Sequence, residues 1–178
     1  MTAWEAGWAM RDASQWLCEP YSSLLRKLLD KALEVLGGNL VSLVVYGSVA
    51  RCEAEKASDV DLLLVVESAP KSRLRRQEVF MSIEDLLEED LEALRSRGYE
   101  VDFSPVIKTV EEARRFSPLY IDMVEDAVIL YDRNGFFRGV LEALAARLRE
   151  LGAERVRVGK KWYWRLKKDY KFGEVIEF

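Results

Sequence analysis

Two short apolar runs, Leu40–Tyr46 and Val60–Val66, constrain this chain more than any other feature. Both are rich in β-branched residues, and turn-formers bound them: Gly37-Gly38 and Gly47-Ser48 around the first, Ser58-Asp59 and Pro70 around the second. Runs of this length and composition read as buried strands. They are close in sequence, so a small sheet must form around them.

The rest of the chain supplies helices to cover that sheet. Tyr21, Leu24, Leu25, Leu28, Leu29, Ala32, Leu33 and Leu36 recur at helical spacing before Gly37-Gly38 stops the pattern. Residues 49–55 can start a short helix. Leu74, Val79, Phe80, Ile83, Leu86, Leu87, Leu91 and Leu94 mark one long amphipathic helix closed by Gly98, with the acidic run 84–90 as its solvated face. Residues 99–107 read as a third strand, 109–116 and 118–125 as short helices, 128–131 as a short strand and 136–151 as another amphipathic helix. Residues 2–18 carry Trp4, Trp8 and Trp16. A short helix there would put Trp4 and Trp8 on one face, for packing on the core or for docking a partner. The fold class is α+β, close to α/β: a small mixed β-sheet with helices packed on it and extra helices at both ends.

Composition removes whole classes of chemistry. The 178 residues contain no histidine, which excludes Ser–His and Cys–His catalysis and argues against zinc. Acid–base work falls to carboxylates, Lys, Tyr or metal-bound water. Cys18 and Cys52 have no metal-type spacing. The net charge of −4 argues against a wholly basic nucleic-acid coat. The N-terminus has no basic start followed by an apolar run, and no apolar stretch approaches a membrane span, so a cytoplasmic protein is expected. Scarce Asn and Gln beside abundant Arg, Lys and Glu tilt toward a thermophilic source.

The chemistry concentrates at the two strands. Asp59 and Asp61 stand two apart at the start of the second, and period-two alternation puts both side chains on one face. Two such carboxylates repel unless a cation lies between them, and a hard divalent ion such as Mg²⁺ suits oxygen ligands. Gly47 allows a tight turn at the end of the first strand. Ser48 can cap the helix that follows, whose amides suit a phosphate. Arg51, one turn on, either reaches that phosphate or stays solvated. Four fixed positions at residue frequencies of roughly 5–7% match by chance in only a few chains per thousand.

Gly47-Ser48 with Asp59-x-Asp61 resembles the signature of the DNA-polymerase-β-like nucleotidyltransferases, and the spacing is similar to that of the minimal archaeal and bacterial members. That resemblance implies a nucleotidyltransferase domain over 39–151, with 1–38 an N-terminal helical segment and 152–178 a basic aromatic extension. It implies a third catalytic carboxylate on a later strand. Asp102, in Val101-Asp102-Phe103-Ser104-Pro105-Val106, fits, with Glu100 as the rival. It implies two Mg²⁺ ions held by Asp59, Asp61 and Asp102. Gly47, Ser48 and Arg51 would hold the phosphates of a nucleoside triphosphate, ATP above all. The reaction would move a nucleoside monophosphate to a hydroxyl with release of pyrophosphate. The alternative it implies is an antitoxin-like module that pairs with a separate small helical protein, whose tyrosine it modifies in some members.

The extension stands apart in composition. From Arg155 to Lys171 eight basic residues face one acid, interleaved with Trp162, Tyr163, Trp164 and Tyr170. It can bind an RNA acceptor, cover the nucleotide, or pack its aromatics on the core while its cations stay solvated.

Overall fold

The computed structural model describes residues 11–12, 17–158, 161–169 and 175–177. Five strands form one mixed sheet: β1 (Arg11–Asp12), β2 (Leu40–Tyr46), β3 (Val60–Val66), β4 (Phe103–Thr109) and β5 (Val128–Asp132), in the order β1-β5-β2-β3-β4. β2 runs antiparallel to both neighbours, while β3 with β4 and β1 with β5 are parallel. A mixed sheet is the expected result. The two runs on which the sequence argument rests form its centre.

Both faces of the sheet are covered, which explains the unbroken apolar character of β2 and β3. Leu40, Leu43, Val45, Val60, Leu62 and Leu64 point into one core with α1 (Tyr21–Leu36), α3 (Arg73–Glu84) and α4 (Glu88–Arg95). Val41, Val44, Leu63 and Val65 point into a second core with α6 (Leu119–Asp126) and α7 (Phe136–Glu150). Burying one such Leu side chain contributes about 1.5–3 kcal/mol, so these strands anchor everything built on their ends. Helix α2 (Gly47–Ala50) follows β2 directly, and α5 (Val110–Ala113) follows β4 with a capping box between Thr109 and Glu112.

Several expected boundaries shift. The long helix is two helices separated by a 3₁₀ turn at Asp85–Leu87. Leu87 leaves helical geometry (φ −109, ψ 4) yet stays buried, so the apolar stripe continues across the break. Leu74 and Leu86, read as part of that stripe, are exposed. The third strand begins at Phe103 instead of residue 99, because the chain first closes a turn at Gly98 (φ 80). Arg11–Asp12 is a strand beside β5 instead of helix. Trp4, Trp8 and Trp16 lie outside the described residues.

Two polar devices hold the periphery. The Asp132 carboxylate accepts from the backbone N–H groups of Phe137 and Arg138 at 3.0 Å each and from Ser42 Oγ at 2.6 Å, so it caps α7 from the preceding strand. On edge strand β4 the carbonyls of Pro105 and Ile107 accept from Gln77 Nε2 (3.2 Å) and Arg76 Nη1 (2.8 Å). Those side chains from α3 occupy hydrogen-bonding positions that another strand would need.

Beyond α7 the chain adds an antiparallel hairpin, β6 (Glu154–Val158) and β7 (Lys161–Arg165). The Arg155-Val156-Arg157-Val158 alternation and the Trp162-Tyr163-Trp164 run carry a strand signal that the basic composition of the segment overshadowed. The hairpin packs on α6: Trp164 is half-buried against the second core, and its Nε1 donates to Asp122 Oδ1 at 2.9 Å. For Trp164 the core-packing reading holds. The side chain of Trp162 is outside the described set.

The structure closes one covalent link that spacing did not reveal, a disulfide between Cys18 and Cys52 with Cα atoms 5.6 Å apart. It ties the entry to α1 to the segment between β2 and β3. Tyr21 adds to it, donating from its hydroxyl to Glu55 O at 2.8 Å. No helix among the described residues is long and apolar enough to cross a membrane.

Candidate active site

The site is built on the ends of β2 and β3. Antiparallel register pairs Tyr46 with Asp61, so the residue after β2, Gly47, arrives beside the Asp61 side chain. Gly47 has φ +74, a region that L-residues avoid. A Cβ built on it would lie 3.1 Å from Asp61 Cγ and closer still to Oδ2. Glycine is therefore required twice here, by the turn and by the carboxylate packed against it. Helix α2 starts at Gly47 itself, with Tyr46 in the N-cap position and no side-chain cap. Ser48 is thus inside the helix and does not cap it, contrary to the expectation. The turn comes one residue earlier than the Ser would need.

Asp61 is half-buried and Asp59 exposed. Burial first, and the charge of Asp59 second, push the Asp61 carboxyl above its ordinary value, against a smaller opposing effect of Arg51. The two acids and Arg51 are therefore electrostatic neighbours. Tyr46, half-buried beside Asp61, has its phenol pushed up to about 12, by burial first and by the Asp61 charge second. Both effects disfavour its ionised form.

Asp102 immediately precedes β4. Parallel register pairs Val60 with Phe103, and the Asp102 carbonyl accepts from the Val60 N–H at 2.8 Å. Asp102 thus stands across from Asp59, just ahead of the neighbouring strand, exposed. Glu100 is also exposed and uses its N–H on Lys56 O (2.8 Å), in the turn before the strand. Among the described residues no group of three or more Asp, Glu, Cys or His side chains converges at metal-ligating distance. What the backbone brings together is the Asp59/Asp61 pair, with Asp102 one strand over.

Arg51 is not solvated in the simple sense. Its Nε donates to Glu53 Oε2 at 2.8 Å and its Nη1 to Asp126 Oδ2 at 3.4 Å. Asp126, at the end of α6, is 5% exposed and also receives Arg155 Nη2 from β6 at 2.8 Å. The sequence reading passed over Asp126 and Arg155. It placed Glu84 on the solvated face of the long helix; Glu84 is instead half-buried, and its carboxyl is raised above its ordinary value by burial first and by Asp102 second. Spacing held a signal for Glu84: it lies four residues after Phe80 and three before Leu87, along the buried stripe.

A mixed sheet that seats an acid pair against a Gly-Ser turn, with a further acid at the head of the next strand, defines an enzyme of nucleotidyl transfer. The chain belongs to the nucleotidyltransferase domain family, which residues 25–131 match, more than half of its length. It is similar to a protein of the archaeon Methanocaldococcus jannaschii named "Putative protein adenylyltransferase MJ1305", with 27% identity over 143 residues, 79% of this chain and 92% of that one. Among solved structures, it is similar to a toxin–antitoxin crystal structure with AMP-PNP (17% identity, 69% of this chain and 91% of the other, TM-score 0.42). A crystal structure from Shewanella oneidensis is similar too (15% identity, 71% and 88%, TM-score 0.43).

Proposed function

We propose that this nucleotidyltransferase moves AMP from ATP to a hydroxyl of a protein side chain with release of pyrophosphate, using Mg²⁺ at Asp59, Asp61 and Asp102. The observation that carries the reading is the seating of the Asp61 carboxylate against Gly47, beside Asp59. Acid pair and phosphate turn are there a single structure. The name of the Methanocaldococcus relative supports adenylyl as the group and protein as the acceptor.

The Asp59/Asp61 pair fits the metal, with Asp102 one strand over as the further donor in this reading. Asp59 and Asp61 are hard oxygen donors placed side by side at the end of β3, where their mutual repulsion favours a bound divalent cation. Bound there, Mg²⁺ would neutralise triphosphate charge and acidify the acceptor hydroxyl. Asp102 would hold the ion nearer the acceptor and take its proton. The Gly47 amide and the Ser48 hydroxyl would receive the β- and γ-phosphates, and Arg51 would add its charge. With no histidine in the chain, a carboxylate would be the base in this reading.

The acceptor protein is, in this reading, the separate small helical partner that the family resemblance implies. The test is incubation with each α-labelled NTP and Mg²⁺ in the presence of candidate partner protein or RNA. The expected result is label from ATP on protein, lost in Asp59→Ala/Asp61→Ala. Label on RNA would replace the acceptor class, and transfer from none of the four NTPs would contradict the proposal.

A further inference from the structure

We infer that Asp126 is a positioning residue that aims Arg51 at the triphosphate, and that the C-terminal hairpin completes the nucleotide site through Arg155. The inference rests on the proposed reading that Arg51 meets a phosphate.

Strand β5 begins two residues after Asp126 and pairs Val128 with Val45, next to the end of β2. The end of α6 is thereby delivered beside the turn that starts at Gly47. Asp126 is 5% exposed, a burial at which a lone carboxylate is costly and a paired one is retained. Its Oδ2 accepts from two guanidinium groups on either side of it in sequence, Arg51 at 3.4 Å and Arg155 at 2.8 Å. Arg155, with 14% of its side chain exposed, also donates to Glu125 Oε2 at 3.1 Å. One turn earlier on the same helix, Asp122 receives Trp164 of β7. The hairpin is thus fastened to α6 at two points a turn apart, and the second fixes the carboxylate that holds Arg51.

Arg51 has its Nε on Glu53 and its Nη1 on Asp126. Two nitrogens held at once, Nη1 by the buried Asp126 and Nε by the exposed Glu53, set the plane of the planar guanidinium fork. Nη2 is the donor assigned to a phosphate oxygen. A guanidinium oriented before the ligand arrives loses little side-chain freedom on binding, which favours affinity. The network also gives the basic extension a use that composition does not show: one of its cations is spent inside the protein on orienting another cation at the site.

The test is the dissociation constant of Mg²⁺-ATP by calorimetry, which requires no acceptor, read with a melting curve for each variant. Arg51→Ala is expected to weaken binding on the order of 10-fold, the scale of one charge-assisted hydrogen bond. Asp126→Asn should weaken it comparably, and adding it to Arg51→Ala should weaken binding no further. Asp126→Asn alone leaves Arg155 beside a neutral partner and can impair folding. The double variant Asp126→Asn/Arg155→Met therefore removes the pair together and should show the same loss with a wild-type-like melt. If Arg51→Ala leaves ATP affinity unchanged, the phosphate role of Arg51 fails and this inference with it. If Arg51→Ala weakens binding while the Asp126 variants do not, or the two losses multiply, the positioning role alone is overturned.

Discussion

Gly47 and Asp61 occupy adjoining space such that a single methyl group on the first would displace the carboxylate of the second. The turn that would receive the phosphates and the acid that would bind the metal are thus set by one packing contact, made possible by the Tyr46–Asp61 register of β2 and β3. Gly47→Ala should therefore lose function beyond its loss of stability. The φ of +74 costs about 1–2 kcal/mol for an L-residue. A displacement of the carboxylate by about 1 Å should lower the transfer rate on the order of 100-fold. Circular dichroism and a transfer assay separate the two. A folded Gly47→Ala protein with wild-type activity would contradict this account of the turn.

The Cys18–Cys52 disulfide should stabilise the fold by constraining the unfolded chain across a separation of 34 residues. Loop-entropy arguments put that at about 3–4 kcal/mol. Cys18→Ser/Cys52→Ser, compared with wild type in urea titrations, is expected to show a lower midpoint, and reductant should lower the wild type to the same value. Equal midpoints with and without reductant would rule out this contribution.

Glu112 should make acid stability depend on pH in a defined window. The Arg76 guanidinium first, and the Thr109 backbone N–H second, hold its carboxyl down at about 2 against an ordinary 4.5. The folded value is depressed, so its stabilisation is fully present above about pH 4.5 and is lost as pH falls toward 2. With 41% of the Glu112 side chain exposed, solvent screening keeps the effect modest. Glu112→Gln should flatten the melting temperature across that window and leave the pH 7 activity in place. An unchanged pH profile would contradict the assignment.

How much of this was legible in the sequence follows from which interactions are local. Leu40–Tyr46 and Val60–Val66 were readable because burial on both faces leaves an apolar run, and Gly47-Ser48 and Asp59-x-Asp61 sit at their ends. Asp102 was read as lying within a strand; it stands just before β4, since a turn at Gly98 consumes the preceding residues. The ion pairs of Asp126 with Arg51 and Arg155 span 75 and 29 residues, and no periodicity encodes such distances. The hairpin was overshadowed for a related reason: its inward residues include Arg155, whose partners lie on another element.

The central claim is that the acid pair at this turn binds a nucleoside triphosphate with Mg²⁺. The most direct measurement is calorimetric binding of ATP, GTP, CTP and UTP, with and without Mg²⁺, to wild type and to Asp59→Ala/Asp61→Ala. The account predicts Mg²⁺-dependent binding, strongest for ATP, that the double variant loses while remaining folded. Absence of binding of any of the four by folded wild type, or binding that survives in the double variant, would contradict it.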